Sequence, residues 1–403
     1  MNLKKIRKVL VVILLTGTCV YGGYRLGTWE TEKKVSNSSV IDTSSMNEVL
    51  SHLKTSYLKS EEIDPNKLKY GAAEGMTKSL GDPYTSFYPP TENTRSKEDL
   101  SGNFGGVGIE LGYIDKTLAV VAPIKESPAA KAGIAAGDLI LNIKDEANKV
   151  DKDTTGISLD DAVNLIRGEK GTEVILTIFH EGDSKSKDIS LIRDTINVPS
   201  TELTWIDSNK VAVISVSKFG EQTLSEWNKI IMEVKANNAQ GVILDLRNNP
   251  GGYLQRAVDL GSEFIPDGVI VKQRDRTGTE ALTVNRKGKL VGMPLVVLIN
   301  KGSASASEIL AGALHERLDV KLVGEKSFGK GTVQEAQELS DGAGLHVTVA
   351  EWLLPSGKNI HGNGLDPDVM VEYIYNEKMP TADNQLDKAL EVLHQVELVA
   401  KGK

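Results

Sequence analysis

Two apolar runs, Val211–Val216 and Gly241–Leu246, bracket a helical stretch from Thr223 to Lys235, and that order constrains the fold more than any other feature. Runs of this length with a single polar residue each, Ser215 and Asp245, suit strands covered on both faces. The strand, helix, strand order predicts a mixed α/β core. Leu295–Ile299 reads as a further strand, Tyr253 to Phe264 looks helical, and the alternating run Leu345–Trp352 continues a sheet. With 403 residues, 40% hydrophobic and 25% charged, the chain can build two or three domains. A net charge of −8 argues against nucleic-acid binding.

Chemistry concentrates in Gly302-Ser303-Ala304-Ser305-Ala306-Ser307-Glu308 and Phe328-Gly329-Lys330-Gly331-Thr332-Val333-Gln334, which offer hydroxyl nucleophiles and a lysine to serve as their base. The apolar run from Ile309 to Leu314 reads as a helix opening at the serines, where free N–H groups and the positive end of the dipole suit an oxyanion. The pattern points to acyl transfer. Its rival is structural: Ser305-x-x-Glu308 is also a capping box. The six histidines, His52, His180, His315, His346, His361 and His394, show no spacing that suggests a triad or a metal site, and neither metal nor cofactor is expected.

These runs, together with Asp245-Leu246-Arg247-Asn248-Asn249-Pro250-Gly251-Gly252 upstream, resemble the carboxy-terminal processing (tail-specific) serine proteases of the S41 class, and the three blocks stand in that family's order. The resemblance implies Ser305 as nucleophile, Lys330 as general base and Gln334 as the residue that orients the lysine. Residue chemistry alone does not choose Ser305 over Ser303 or Ser307. A lysine whose reference pKa is about 10.4 must fall to near 7, a cost of about 4 kcal/mol, which burial has to supply. Phe328, Val333 and the run Leu295–Ile299 are the expected walls of its pocket. Four extended residues span about 13 Å, so Gln334 reaches the lysine only across a bend, which Gly329 and Gly331 allow. Ala306 supplies one oxyanion N–H by adjacency, and either Gly251 or Gly252 the second; an ordinary strand-to-helix turn is the competing reading of those glycines.

A second module precedes these blocks. Phe104-Gly105-Gly106-Val107-Gly108-Ile109-Glu110-Leu111, Ser127-Pro128-Ala129-Ala130-Lys131-Ala132-Gly133-Ile134 and Gly137-Asp138-Leu139-Ile140-Leu141 resemble a bacterial-protease PDZ domain. The resemblance implies a carboxylate loop at Gly105, Gly106, Val107 and Gly108 leading into Ile109, a groove helix from Leu159 to Arg167, and selection of substrates by their C-terminal tails. A phosphate loop is the rival, but it lacks its Gly-Lys-Ser/Thr ending. Arg167 could pair with a ligand carboxylate or with the protease domain, although helix C-termini favour cations in any case.

At the amino terminus Lys4, Lys5, Arg7 and Lys8 precede an uncharged stretch of 16 residues, Val9 to Tyr24, short of the roughly 20 that span a bilayer comfortably. An uncleaved single-pass anchor in the cell membrane, with the catalytic part extracytoplasmic, is expected, since no Ala-x-Ala follows the run as a secretory signal would require. Cys19, the single cysteine, lacks lipoprotein-processing neighbours and allows no internal disulfide. Thr31 to Met46 reads as a polar stalk, Asn47 to Ser79 as helical, and Gly81-Asp82-Pro83-Tyr84-Thr85 as a turn. A closing helix from Gln385 to Val399 carries Leu386, Leu390, Leu393 and Val396 on one face. Such stripes either pack onto the protease body or pair two subunits, and a homodimer is expected because family members often pair.

The expected organisation is α/β and α+β multidomain: an anchor or signal segment at 1–30, a stalk and helical region at 31–96, a PDZ domain at 97–196, a mixed α/β serine-protease core at 197–375 and a helical segment at 376–403. The function implied is an extracytoplasmic serine endopeptidase acting on protein or peptide C-terminal tails. A PDZ scaffold or inactive homologue, and an acyl-transfer enzyme on a small thioester, are the alternatives.

Overall fold

The computed structural model describes residues 42–208, 210–374, 379 and 382–401. The expected anchor and most of the stalk lie outside these residues. Among the described residues no helix is long and apolar enough to cross a membrane. The chain divides into two units, Met1–Ala72 and Ala73–Lys403.

In the first unit the helical region is broken. A helix at Ser44–Ser56 gives way to a short 3-10 turn at Ser60–Glu62, and a new helix starts at Pro65, whose fixed φ and missing N–H suit a first helical position. Met46, Val49 and Leu50 of the first helix are exposed.

In the second unit the three sequence blocks hang from a six-stranded sheet. Its order is Thr201–Ile206, Val211–Val216, Gly241–Asp245, Leu295–Ile299, Lys321–Gly324, Val369–Met370. The first pair is antiparallel and the rest are parallel. Alternation along the strands explains their near-continuous apolar character. Ala212, Ile214, Leu244, Val297 and Ile299 pack beneath Trp227, Ile231, Leu260 and Leu310 of the helices Thr223–Ala236, Leu254–Gly261 and Ala306–Leu318. Val211, Val213, Ile243, Val296 and Leu298 face the other way, onto Ala389, Val392 and Leu393 of the helix Asn384–Lys401. The strands Val211–Val216, Gly241–Asp245 and Leu295–Ile299 are therefore buried on both sides. The apolar stripe of the closing helix, with Leu386 and Leu390 at its margin, packs onto its own sheet, which is the core-packing alternative rather than subunit pairing.

Parallel order has a functional consequence. The loops after Gly241–Asp245, Leu295–Ile299 and Lys321–Gly324, three neighbouring strands, leave the sheet from the same edge, and each carries one of the three sequence blocks. Ligands in open α/β sheets bind at this carboxyl edge.

A second, antiparallel sheet joins Thr332–Glu338 and Ser86–Tyr88 to opposite edges of Gly344–Leu353. The module over 97–196 is a separate sheet ordered Ile109–Ile114, Thr117–Pro123, Leu139–Asp145, Glu173–Phe179, Lys187–Ile192, closed by the helix Leu159–Ile166. Its core is Val107, Leu118, Ile140, Ile143, Ala162, Ile166 and Leu176. Asp145 and Arg193 pair at 2.9 Å inside it, with the guanidinium also donating to the carbonyls of Leu165 and Ile166. Those bonds satisfy the end of the groove helix and offset the desolvation of the buried charges.

Candidate active site

Ser303, Ser305 and Ser307 are adjacent in sequence but have different surroundings. Ser303 is fully buried, and its Oγ donates to the Leu246 carbonyl at 2.8 Å. Ser307 is equally buried and donates to the Asn249 carbonyl at 2.7 Å. Both hydroxyls tie the serine loop to the turn that follows Gly241–Asp245. Ser305, between them, is half-buried and sits at the N-cap of Ala306–Leu318 with φ 56° and ψ −116°. A left-handed φ at a residue with a Cβ stores strain, a feature that collects at reactive turns. Ala306 occupies the first helical position, where an N–H has no intrahelical partner.

The turn itself is braced from three directions. Asn249 is buried; its Nδ2 donates to the Val216 carbonyl at 2.7 Å, and its Oδ1 accepts the Gly251 N–H at 2.8 Å. Asn248 and Asn300 exchange bonds across the two loops, both at 2.8 Å. Arg247 binds Asp245 and Asp383 with two edges of its guanidinium and donates to Gln385 Oε1 at 3.0 Å. The Asp245 block is thereby locked to the start of the closing helix. Although burial works against its charge, these two carboxylates raise the Arg247 pKa above its ordinary value.

Gly251 adopts φ +103°, and a Cβ there would lie 2.8 Å from Ser305 Cβ and 3.0 Å from Ala306 N. The turn approaches the serine that closely only because no side chain intervenes. Gly252, at φ +137°, instead abuts the Phe219 carbonyl and is exposed.

Glu308 joins the serine to the lysine. Its carboxylate is fully buried and accepts four hydrogen bonds: from Ser305 N–H at 2.8 Å and Lys330 N–H at 2.9 Å on Oε2, and from Gly329 N–H at 2.7 Å and Ser327 Oγ at 2.5 Å on Oε1. In sequence Glu308 is marked only as a helix-capping glutamate. Gly329 takes φ +93° in the bend, and a β-bulge between Val333 and Gln334 adds to it.

Lys330 is largely withdrawn from water. Burial lowers its pKa below the ordinary lysine value, and the Asp82 carboxylate opposes that fall. Phe328, expected as a wall of its pocket, is 57% exposed instead. Val333 packs against the main core. Tyr84 covers the amine, its ring centroid 5.0 Å from Nζ. Gln334 Nε2 donates to Thr332 Oγ1 at 3.0 Å and Thr348 Oγ1 at 3.2 Å, not to Lys330.

In the upstream module Ile109–Ile114 is an edge strand, paired among the described residues only with Thr117–Pro123, and the helix Leu159–Ile166 lies beside it. Val107 is core, and Gly105 and Gly106 extend the short ladder with Asp194–Asn197. Gly108 needs φ +74°, with Ser127 against it. Arg167 caps the helix in extended geometry; its guanidinium lies 3.9 Å from the Phe104 ring centroid and pairs with Asp99 at 3.5 Å and Glu98 at 3.9 Å. Lys218 of the catalytic sheet region donates to the Asp99 carbonyl at 2.8 Å. Arg167 thus reaches the catalytic body through the end of the helix Pro90–Ser101.

A profile described as Peptidase family S41 matches residues 210–371, and a PDZ-domain profile matches 120–178. The chain is 38% identical over 339 residues to the carboxy-terminal processing protease CtpA of Bacillus subtilis (strain 168), covering 84% of this chain and 71% of that protein. It is also 38% identical to a CtpA-like candidate serine protease of Staphylococcus haemolyticus (strain JCSC1435), covering 79% of this chain but 62% of the relative. A candidate S41 protease structure from Bacteroides fragilis NCTC 9343 superposes with a TM-score of 0.54 at 16% identity, over 86% of this chain and 96% of that one, a likeness of fold alone.

Proposed function

This chain belongs to peptidase family S41 and carries a PDZ domain, and we propose that it cleaves peptide bonds with Ser305 as nucleophile and Lys330 as general base. The observation that carries the reading is the division of labour among the serines. Ser303 and Ser307 spend their hydroxyls on the carbonyls of Leu246 and Asn249, while the strained Ser305 lies between them, half-buried and bound to the lysine loop through Glu308.

The chemistry follows from those positions. Uncharged Lys330 takes the Ser305 Oγ proton as the hydroxyl attacks the scissile carbonyl, then returns it to the leaving amine; water repeats the sequence on the acyl-enzyme. Ala306 N–H and Gly252 N–H are the oxyanion donors, since Asn249 already occupies the N–H of Gly251. Gln334 orients Lys330: its amide nitrogen is anchored on two threonines, which leaves Oε1 to accept from the amine.

Substrate choice is assigned to the PDZ domain. A C-terminal tail adds as a strand to the open edge of Ile109–Ile114, its carboxylate at the Gly105–Gly108 loop. The basic cluster Lys4 to Lys8 ahead of Val9 to Tyr24 supports a membrane-anchored protein with its catalytic part outside the cytoplasm.

The test is hydrolysis of an unfolded protein with an apolar C-terminal tail by the full chain, compared with Ser305→Ala and Lys330→Ala. Wild-type cleavage abolished in both variants is expected. Equal degradation by all three ends the assignment.

A further inference from the structure

The residues that crowd Lys330 come from a place the catalytic motifs do not include. The turn Gly81 to Thr85 stands ahead of the PDZ domain in sequence, yet Tyr84 lies over the lysine amine and Asp82 is the carboxylate that bears on its charge. The turn leads into the antiparallel sheet that also carries Gln334. Ser86 and Tyr88 of its strand pair with His346 and Gly344. A continuous line of hydrogen bonds runs from Thr85 Oγ1 to Asp82 Oδ2 at 2.7 Å, from Thr348 N–H to Thr85 Oγ1 at 3.1 Å, and from Gln334 Nε2 to Thr348 Oγ1 at 3.2 Å. Asp82 Oδ1 accepts the Tyr84 N–H at 3.0 Å, which fixes the backbone carrying the ring.

Resting on the protease reading above, we propose that Tyr84 and Asp82 are positioning residues of the active site: Tyr84 seats the Lys330 amine and keeps water from it, and Asp82 holds the turn that carries Tyr84 in place.

The sign of each effect follows from the surroundings. The groups facing Lys330 are Asp82 and Tyr84 from the turn, His346 from the strand Gly344–Leu353, His361 against Tyr84 at 5.9 Å, and Glu308 beneath the lysine backbone. Burial raises the pKa of a carboxyl such as Asp82, but bonds from Thr348, Tyr84 and Thr85, with His361 nearby, outweigh it and hold the carboxyl below its usual value, so it is anionic at neutral pH. An aromatic face favours the protonated amine. Dehydration of a buried amine disfavours that form, and burial is the dominant influence on the Lys330 charge. Opening the site to water therefore wins, and removing the ring makes the lysine harder to deprotonate. Removing the Asp82 charge makes it easier.

The test titrates Lys330 in the full chain by amine labelling read by mass spectrometry across pH, beside the pH profile of kcat/KM. Tyr84→Ala is expected to move the labelling midpoint and the acid limb upward by on the order of one pH unit, Tyr84→Phe to leave both in place, and Asp82→Asn to move them downward. Thermal melts identify a variant that has lost its fold, in which case Tyr84→Leu replaces Tyr84→Ala. An unmoved midpoint in Tyr84→Ala and Asp82→Asn, or Tyr84→Phe as impaired as Tyr84→Ala, overturns the proposal. The labelling midpoint is read without turnover, so an enzyme that titrates as expected yet hydrolyses nothing sinks the protease reading alone.

Discussion

Glu308 Oε2 accepts the Lys330 backbone N–H at 2.9 Å, and the same oxygen accepts that of Ser305. One buried carboxylate thus sets the spacing between the helix that presents the serine and the loop that presents the lysine. Glu308→Gln keeps the volume but offers one acceptor oxygen and turns an NH2 group towards donors. At least one buried N–H is left unsatisfied, at about 1–3 kcal/mol each. Denaturant unfolding should show that loss, and kcat should fall by at least tenfold, because the loop carrying Lys330 is no longer held to the serine.

The three serines should separate stability from activity. Ser303→Ala and Ser307→Ala each remove one hydrogen bond to a buried carbonyl and are expected to cost about 1 kcal/mol of stability. Ser305→Gly should abolish hydrolysis and unfold no more easily than the wild type, since glycine adopts φ 56° without strain. A large destabilisation by Ser305→Gly would contradict this account.

Gly251→Ala tests the close approach of the oxyanion turn. Its methyl group would lie 2.9 Å from the Ala304 carbonyl as well as against Ser305, at a backbone angle that resists a Cβ. We expect hydrolysis to be lost, with a stability penalty of a few kcal/mol, while peptide binding to the PDZ domain, measured by calorimetry, stays unchanged.

Lys330 also predicts how stability varies with pH. Burial depresses its folded pKa below the unfolded value of about 10.4. Between those two values the unfolded state binds more protons, so this residue's contribution to stability rises with pH across that window and is least favourable below it. Lys330→Met removes the penalty. Near neutral pH the variant should melt above the wild type, by a margin that shrinks as pH approaches 10.

Much of this was legible locally. The apolar runs of the catalytic sheet are strands because alternate residues meet helices on opposite faces, and such a pattern is written along a few consecutive positions. The three loop blocks were likewise readable, since each holds its glycines and polar residues within a short span. Burial and long-range pairing were not. Phe328, which hydrophobicity assigned to the lysine pocket, faces solvent; its place is taken by Tyr84, whose neighbours in sequence suggested only a turn. Nothing near Ser303, Ser305 or Ser307 says which hydroxyl is spent, because the deciding acceptors are carbonyls at Leu246 and Asn249 on another strand's loop.

What the chain determined by itself is therefore the alternation that makes a doubly covered parallel sheet, and the motif blocks that end its strands. Tertiary structure alone decided which serine is left available, that Glu308 binds both the serine loop and the lysine loop, and that a turn preceding the PDZ domain covers the lysine. The physical reason is that propensity and periodicity act over a few residues, whereas desolvation and hydrogen-bond satisfaction depend on groups brought together only when the sheets assemble.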